Sequence, residues 1–497
     1  MAQSFDPAHL TVELPVNRRE ELFVSDDRRV ITRYLDFGDP ARVRSILARL
    51  VRLSPAQAEE LLEATLHDFS PRHRDVLAAF RDNFAEVAGY LPAGTRLSET
   101  QQLMIGAYFT SEYSIESAAL FNPSIVPDPD HGHETDSEAR FLMSLRATGE
   151  GHVSSIVFHR GAIGADGAIR LDSTPRWALS AKPRPAKPFE KRWLIRRLAE
   201  IGADEDVARL ILAEVPDPFS LAHLHEAVDR LRVRPDRPAN FGPTASELLW
   251  LARANYSLSY PPDCAPQEIV LFPATEAENR GMEDLRLVCF QCASGEPRYL
   301  GTYTAYDGRR ILPMLLETRD FHEFHIRTLS GRYARNKGQA LFPRQVDGEY
   351  LMVSRHDGES LYLLRSDSLY RWERAERLQE PVEPWELTQI GNAGPPIETE
   401  AGWLLLTHGV GPVRRYCIGA MLLDLSDPVR VLGRLRHPLL VPTPAEREGY
   451  VPNVVYSCGA MVHRGTLVIP YAVSDVATKF ATVPLSALVQ RLLDDGP

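Results

Sequence analysis

The sequence predicts a mainly β protein: a five-bladed β-propeller with an N-terminal helical extension and a helical insertion in the first linker. Two observations lead there. After residue 115 the chain breaks into short β-branched and aromatic runs separated by Gly, Asp and Pro, the pattern of strands joined by tight turns. A strand-opening signature then recurs at Arg140-Phe141-Leu142, Arg298-Tyr299-Leu300, Glu349-Tyr350-Leu351, Gly402-Trp403-Leu404 and Gly465-Thr466-Leu467. The last four leucines lie 51, 53 and 63 residues apart, the length of a four-stranded blade. A sandwich or a pair of barrels also uses many short strands, and the repeat count decides for five blades.

The elements follow in chain order. Residues 1–115 read as a helical extension. Asp39-Pro40, Ser54-Pro55 and Ser70-Pro71 each pair a capping side chain with a proline suited to the first helical turn, ahead of apolar residues at helical spacing. A fourth helix is expected from Ser98 toward Tyr113. Residues 116–497 are then the propeller. Its first two signatures stand 158 residues apart, roughly 100 more than a blade requires. The excess falls at about 180–262, where Trp193, Leu194, Arg197 and Leu198, then Val207, Leu210, Ile211 and Leu212, keep helical spacing, and a further apolar helix covers Ser246 to Tyr256. These helical parts are expected to bury their apolar stripes in cores of their own, and could cover the channel mouth or form a homo-oligomer interface.

Composition narrows the function. The 497 residues are 44% hydrophobic and 25% charged, ordinary for a globular protein with a sizeable core. Against 56 Lys and Arg stand 67 Asp and Glu, a net charge of -11, which argues against a nucleic-acid partner. The start lacks a basic region followed by an apolar stretch, and no run of 18 apolar residues occurs, so a cytoplasmic protein without a membrane partner is expected. Five cysteines make no disulfide framework. Cys289-Phe290-Gln291-Cys292 has metal-pair spacing but stands alone, and reads as two small strand residues. His131-Gly132-His133-Glu134-Thr135-Asp136 and His223-Leu224-His225-Glu226 carry metal-ligand residue types without a spaced third ligand, so no metal is expected.

A propeller gathers equivalent blade corners around one channel mouth. The polar residues at such corners are Asn122, Arg146, Asp284, Arg286, Asn336, Lys337, Arg355, His408, Arg415, Tyr416 and Asp475, a mixture of carboxylates and cations suited to an anion and a polyol. By strand alternation Asp284 and Arg286 share a face and Glu283 points the other way. The Asp284–Arg286 combination reads either as a structural pair between blades or as a general acid beside a bound anion.

Gly281-Met282-Glu283-Asp284-Leu285-Arg286, Gly394-Pro395-Pro396-Ile397-Glu398, Thr407-His408-Gly409-Val410, Ile418-Gly419-Ala420-Met421 and Gly449-Tyr450-Val451-Pro452-Asn453-Val454-Val455-Tyr456 together resemble glycoside hydrolase family 130. That family holds β-mannoside phosphorylases and inverting β-1,2-mannosidases on a five-bladed propeller. The resemblance covers roughly residues 118–165 and 268–490. It implies that Asp284 is the general acid, relaying its proton through a hydroxyl of the bound sugar. It implies that Asn122, Arg146 and Asp475 hold the sugar whose bond is cleaved, with Arg286 beside them. Asn336, Lys337, Arg355, His408 and Tyr416 match the phosphate-handling positions of the phosphorylases. Three positions depart from the pattern: Leu285 replaces a proline, Ser354-Arg355-His356 replaces His-Arg-Pro, and Ala472-Val473-Ser474-Asp475 replaces Gly-Ala-Ala-Asp.

The expected function is therefore inverting phosphorolysis of a β-mannoside or related β-glycoside, with an oligosaccharide or glycoside and inorganic phosphate as substrates and no other cofactor. A phosphate nucleophile needs cations to bind it and no base to activate it. The first alternative is an inverting β-1,2-mannosidase using water, which needs a second carboxylate, Glu283 or Glu398. A non-catalytic glycan-binding propeller is the other alternative.

Overall fold

The computed structural model of the chain describes residues 14–130, 138–186, 188–292 and 295–497, and it is mainly β. The repeated signatures fall in the strands Glu138–Thr148, Pro297–Tyr306, Tyr350–Ser354, Gly402–Gly411 and Thr466–Val473. Each is the second strand of an antiparallel group. The groups begin at Ala119–Pro127, Gly281–Gln291, Ala340–Leu341, Gln389–Asn392 and Val455–Tyr456. The first two are joined into one sheet through a single parallel pairing, Gly281 with Ser154. Gly281 has φ +134°, and a Cβ there would come within 2.8 Å of the Ser154 Cβ, so only glycine permits the approach.

Alternating apolar residues give each group two apolar faces, and the faces of successive groups share buried layers. Leu142 and Phe158 meet Met282 and Met314; Leu300 and Leu315 meet Met352 and Leu364. Further layers join the third group to the fourth around Trp403 and the fourth to the fifth around Leu404 and Leu467. A fifth joins Val468 and Phe480 of the last group to Phe141 and Met143 of the first. Val126, Val288, Pro343, Ile397 and Met461, from the five groups in turn, line a common cavity of about 250 Å³.

The N-terminal helices are α1 (Pro40–Leu50), α2 (Pro55–Phe69), α3 (Val76–Ala88) and α4 (Glu99–Tyr108). Asp39 caps α1 through the Ala41 amide, and Ser54 and Ser98 form capping boxes with Gln57 and Gln101. The expected third start is displaced. Ser70–Arg72 makes one 3-10 turn, and α3 begins where Asp75 accepts from the Ala78 amide. The expectation that residues 1–115 are helical also needs correction. Val30–Tyr34 pairs with Thr110–Ser114, which ends α4 at Tyr108, and Asn17–Phe23 pairs with Ala477–Pro484 as an outer strand of the fifth group. A strand far from its partner in sequence carries no local signal of that pairing.

The insertion contains α5 (Lys191–Glu200), α6 (Glu205–Ala213), α7 (Leu221–Arg232) and α8 (Phe241–Arg253), packed on a core of their own, as α1 to α4 are on theirs. The helix expected over Ser246 to Tyr256 starts earlier and stops at Arg253, because Tyr256–Ser259 pairs with Glu323–Thr328 at the edge of the second group. Of the histidine motifs, the one at 131–136 lies outside the described residues. On α7, His223 caps Ser220 and His225 contacts Arg253 at 3.2 Å.

The outer strand is pinned by Arg18, whose Nη1 donates to Glu446 Oε2 at 2.6 Å and to the Tyr471 hydroxyl at 3.0 Å. The Glu446 side chain is only 2% exposed. Removing one partner of a buried carboxylate leaves a desolvated acceptor short of donors, so Arg18→Ala is expected to lower stability by about 1–3 kcal/mol, read as a shift in the urea unfolding midpoint.

Candidate active site

Two β-bulges at equivalent places create the site. In the second group Glu283 pairs with Thr304 and Arg286 with Thr302, leaving Asp284 and Leu285 opposite Tyr303 alone. Asp284 takes φ 57°, a left-handed conformation that a polar Asx side chain tolerates better than most. In the first group the register slips between Phe121 and Ser124, and Asn122 takes φ 50°. The bulge overturns the alternation expected for this strand. Leu285 turns into the core, while Glu283 and Asp284 face the same guanidinium.

That guanidinium is Arg146. Its Nη2 donates to Glu283 Oε1 at 2.9 Å, its Nη1 reaches Asp284 Oδ1 at 3.4 Å, and its Nε donates to Ser154 Oγ at 2.9 Å. Asn122 Nδ2 donates to the same Asp284 oxygen at 2.7 Å. Lys337 Nζ closes on Glu283 Oε2 at 2.5 Å. Arg286 is almost fully buried and extends the cluster toward the fourth and fifth groups. It donates to the Asp284 carbonyl at 2.9 Å, to Asn392 Oδ1 at 3.1 Å and to the Tyr456 hydroxyl at 2.6 Å.

His408 stacks against Tyr416 with centroids 5.9 Å apart and meets Tyr456 edge-on at 4.9 Å. A Cβ on Gly391 would fall 2.3 Å from the His408 ring, so glycine is needed for the ring to lie there. Burial, then the neighbouring Arg355 cation, holds His408 well below the ordinary imidazole range. The ring is neutral at pH 7. Its Nδ1 lies 2.8 Å from the Asn392 carbonyl, which can only accept, so Nδ1 carries the proton and Nε2 is left as an acceptor. Arg355 is half-buried, and its Nε and Nη1 have no hydrogen-bond partner among the described residues. The Asn122 Oδ1 is buried and equally without one.

Burial pushes the Asp284 carboxyl up, but Arg146, Arg286, Lys337 and the Asn122 bond outweigh it, and the net shift is downward. Asp475 responds oppositely. Burial dominates, Asp284 and Glu283 add to it, and Arg146 and Arg414 offset only part, so its pKa rises from 3.8 to about 6.

The candidate residues do not all occupy equal places. Asn122, Arg146, Asp284, Arg286 and Lys337 form one hydrogen-bonded cluster, Asp475 acts on its charges, and Arg355, His408 and Tyr416 form its neighbour. Asn336 spends its side-chain oxygen on the Lys337 amide at 2.9 Å. Arg415 acts on the Cys417 thiol, and its neighbour Arg414 joins Arg146 in acting on Asp475. Glu398 forms a two-point ion pair with Arg344, at 2.6 and 2.8 Å. Asn392 and Tyr456 were not among the candidates, although both hold Arg286. One signal for Asn392 was available: it precedes Gly394-Pro395-Pro396 at the first strand of its group, as Asn122 and Asp284 sit in theirs.

A family model described as beta-1,4-mannooligosaccharide phosphorylase matches residues 263–493. The chain is 31% identical to the 1,2-beta-oligomannan phosphorylase of Thermoanaerobacter sp. (strain X514), over 50% of this chain and 84% of that protein. It is 29% identical to the Beta-1,2-mannobiose phosphorylase of Listeria innocua, over 45% of this chain and 63% of that one. Among solved structures, the Beta-1,2-Mannobiose phosphorylase from Listeria innocua in complex with beta-1,2-mannobiose superposes with a TM-score of 0.44 at 21% identity, covering 76% of this chain and 93% of that one.

The raised Asp475 pKa has a direct consequence for stability. The folded protein holds this proton more tightly than the unfolded chain does, so the contribution is full below pH about 4 and is lost as pH rises through about 6. Asp475→Asn has no such proton to lose. The melting temperature of the variant relative to the parent is expected to climb across that window, as measured by calorimetry at successive pH values.

Proposed function

The chain belongs to glycoside hydrolase family 130, and from that premise we propose that it is an inverting phosphorylase of β-mannosides, releasing a sugar 1-phosphate. The observation that carries the proposal is Arg355, a half-buried guanidinium with two donors unused, beside a neutral His408 whose Nε2 accepts. Such a pair suits a phosphate that still bears a proton: the guanidinium takes its oxygens and the imidazole takes its hydroxyl. Tyr416, stacked on His408, and Lys337 complete the phosphate side. Asn122, Arg146 and Asp475 hold the hydroxyls of the sugar whose bond breaks.

Asp284 is the proton donor. In the free protein its low pKa leaves it ionised, because three cations act on it. Phosphate brings negative charge to Lys337, one of those cations, which weakens its hold and raises the Asp284 pKa, so binding of the nucleophile favours the protonated acid. Attack from the opposite face of the sugar inverts the anomeric centre, giving the α-phosphate from a β-mannoside. The reaction as proposed uses inorganic phosphate and needs no metal or organic cofactor.

The water-using alternative requires a carboxylate free to activate water. Glu398 is paired with Arg344 and Glu283 with both Arg146 and Lys337, which favours phosphate. The proposed setting of the site is a five-bladed propeller. Support for that architecture comes from the five strand groups, the apolar layer between each and the next, and the layer between the last and the first.

Incubation with β-1,2- and β-1,4-mannobiose, each with and without phosphate, is expected to give α-mannose 1-phosphate only when phosphate is present. Equal release of free mannose in both would overturn phosphorolysis. Asp284→Asn is expected to lower kcat by about 10²–10⁴-fold with little change in KM, since the proton donor is lost and the binding groups stay. Arg355→Gln is expected to raise the KM for phosphate by roughly tenfold or more, because charge-assisted hydrogen bonds to the anion are removed.

A further inference from the structure

A second arginine-rich cavity shares no lining residue with the cluster around Asp284. It has two lobes between α5 and the second and third strand groups, with volumes of about 630 and 530 Å³, and Arg196, Arg197 and Glu200 belong to both. Each lobe is lined by five arginines and two glutamates, in a chain whose net charge is -11. Of the three glutamates, Glu190 is exposed and the other two are already engaged. Glu200 takes Arg197 Nη1 at 2.5 Å and the Gly331 amide at 2.9 Å, and Glu373 takes Arg371.

Arg310 pairs with Glu247 at 3.3 Å, but other cations of the cavity lack such a partner. Arg192, Arg196, Arg327 and Arg335 have no carboxylate partner among the described residues. Arg197 is only 5% exposed, and its Nε is buried without a hydrogen-bond partner. Arg327 makes only a 3.3 Å bond to the Ile326 carbonyl. Burial depresses its pKa, and Tyr370 offsets only part of that. Arg192 and Arg335 are exposed, whereas Arg196 and Arg327 are half-buried, and holding an uncompensated guanidinium group there is costly unless an anion joins it.

Aromatic faces accompany the cations. Trp250 lies under Arg310 in one lobe, with the guanidinium 5.2 Å from its ring, and Trp193 stacks on Phe189 at 5.8 Å in the other, across from Tyr370. Guanidinium forks match phosphate oxygens, and flat apolar rings match the C–H face of a pyranose. The volume of either lobe suits an organic ligand and exceeds what a lone phosphate fills.

We propose that this cavity is a second ligand site, distinct from the candidate active site, that binds the phosphate ester of a sugar. Its phosphate sits between Arg196, Arg197 and Arg327, and its ring lies against an aromatic wall. The site depends on the helical insertion, since α5 supplies one side of it.

Isothermal titration calorimetry of the full chain with glucose 6-phosphate, glucose and inorganic phosphate tests the assignment. Glucose 6-phosphate is expected to bind the parent and Arg355→Gln alike, and to bind Arg327→Gln and, independently, Arg196→Gln about tenfold or more weakly. Glucose alone is expected to give no measurable binding. The proposal fails if glucose 6-phosphate does not bind the parent, if both cavity variants bind it unchanged, or if Arg355→Gln is the variant that loses it. Inorganic phosphate occupying the same Arg327-dependent site with equal affinity would overturn the sugar-ester assignment. Circular dichroism of both cavity variants separates loss of ligand from loss of fold.

Discussion

Two adjacent carboxylates, Glu283 and Asp284, are withdrawn from water at one point, and the site is organised around the charge they bring. Charge removed from water in this way calls for counter-charges close by. Arg146, from the first strand group, meets both acids; Lys337, from the approach to the third, meets Glu283; and Arg286, on the same strand as the acids, bonds to the Asp284 carbonyl and acts on its carboxylate through charge. Asn392 and Tyr456 then hold Arg286 from the fourth and fifth groups. Satisfying one pair of buried charges thus ties all five groups together at one end. The same cations depress the Asp284 pKa, so the structural requirement and the proposed chemistry act through the same groups.

The geometry rests on small residues and broken ladders as much as on charge. Without the two bulges, strand alternation would turn one of the acids into the core, and Arg146 could not reach both. Gly281 allows the first and second groups to touch, and Gly391 leaves room for the His408 ring. The apolar layers behind these points are built from ordinary strand residues. They place the groups side by side, and the exceptions to strand regularity then aim the polar side chains.

The helical parts have a different relation to the site. α1 to α4 and α5 to α8 each bury their apolar stripes in a core of their own, which accounts for their amphipathic spacing without a partner. Their attachment is by strands. Tyr256–Ser259 extends the second group, and Val30–Tyr34 pairs with the segment that follows α4. The insertion nevertheless creates the arginine-lined cavity, because α5 brings its cations against a face of the β body that already carries others.

Much was legible in the sequence because it is local. The spacing of the signature leucines, the Asp39, Ser54 and Ser98 caps and the helical stripes all show in the sequence itself, and they placed the second strand of each group and most of the helices. The identities of the polar corner residues were legible for the same reason. Tertiary structure decided what they face. The sequence carries no local mark of the bulge that puts Glu283 beside Asp284, of the Arg344 pair that occupies Glu398, or of the pairing that draws Asn17–Phe23 to a strand more than 450 residues away. Those outcomes depend on which distant chain segment supplies the missing hydrogen bond or counter-charge, and only the assembled fold determines that.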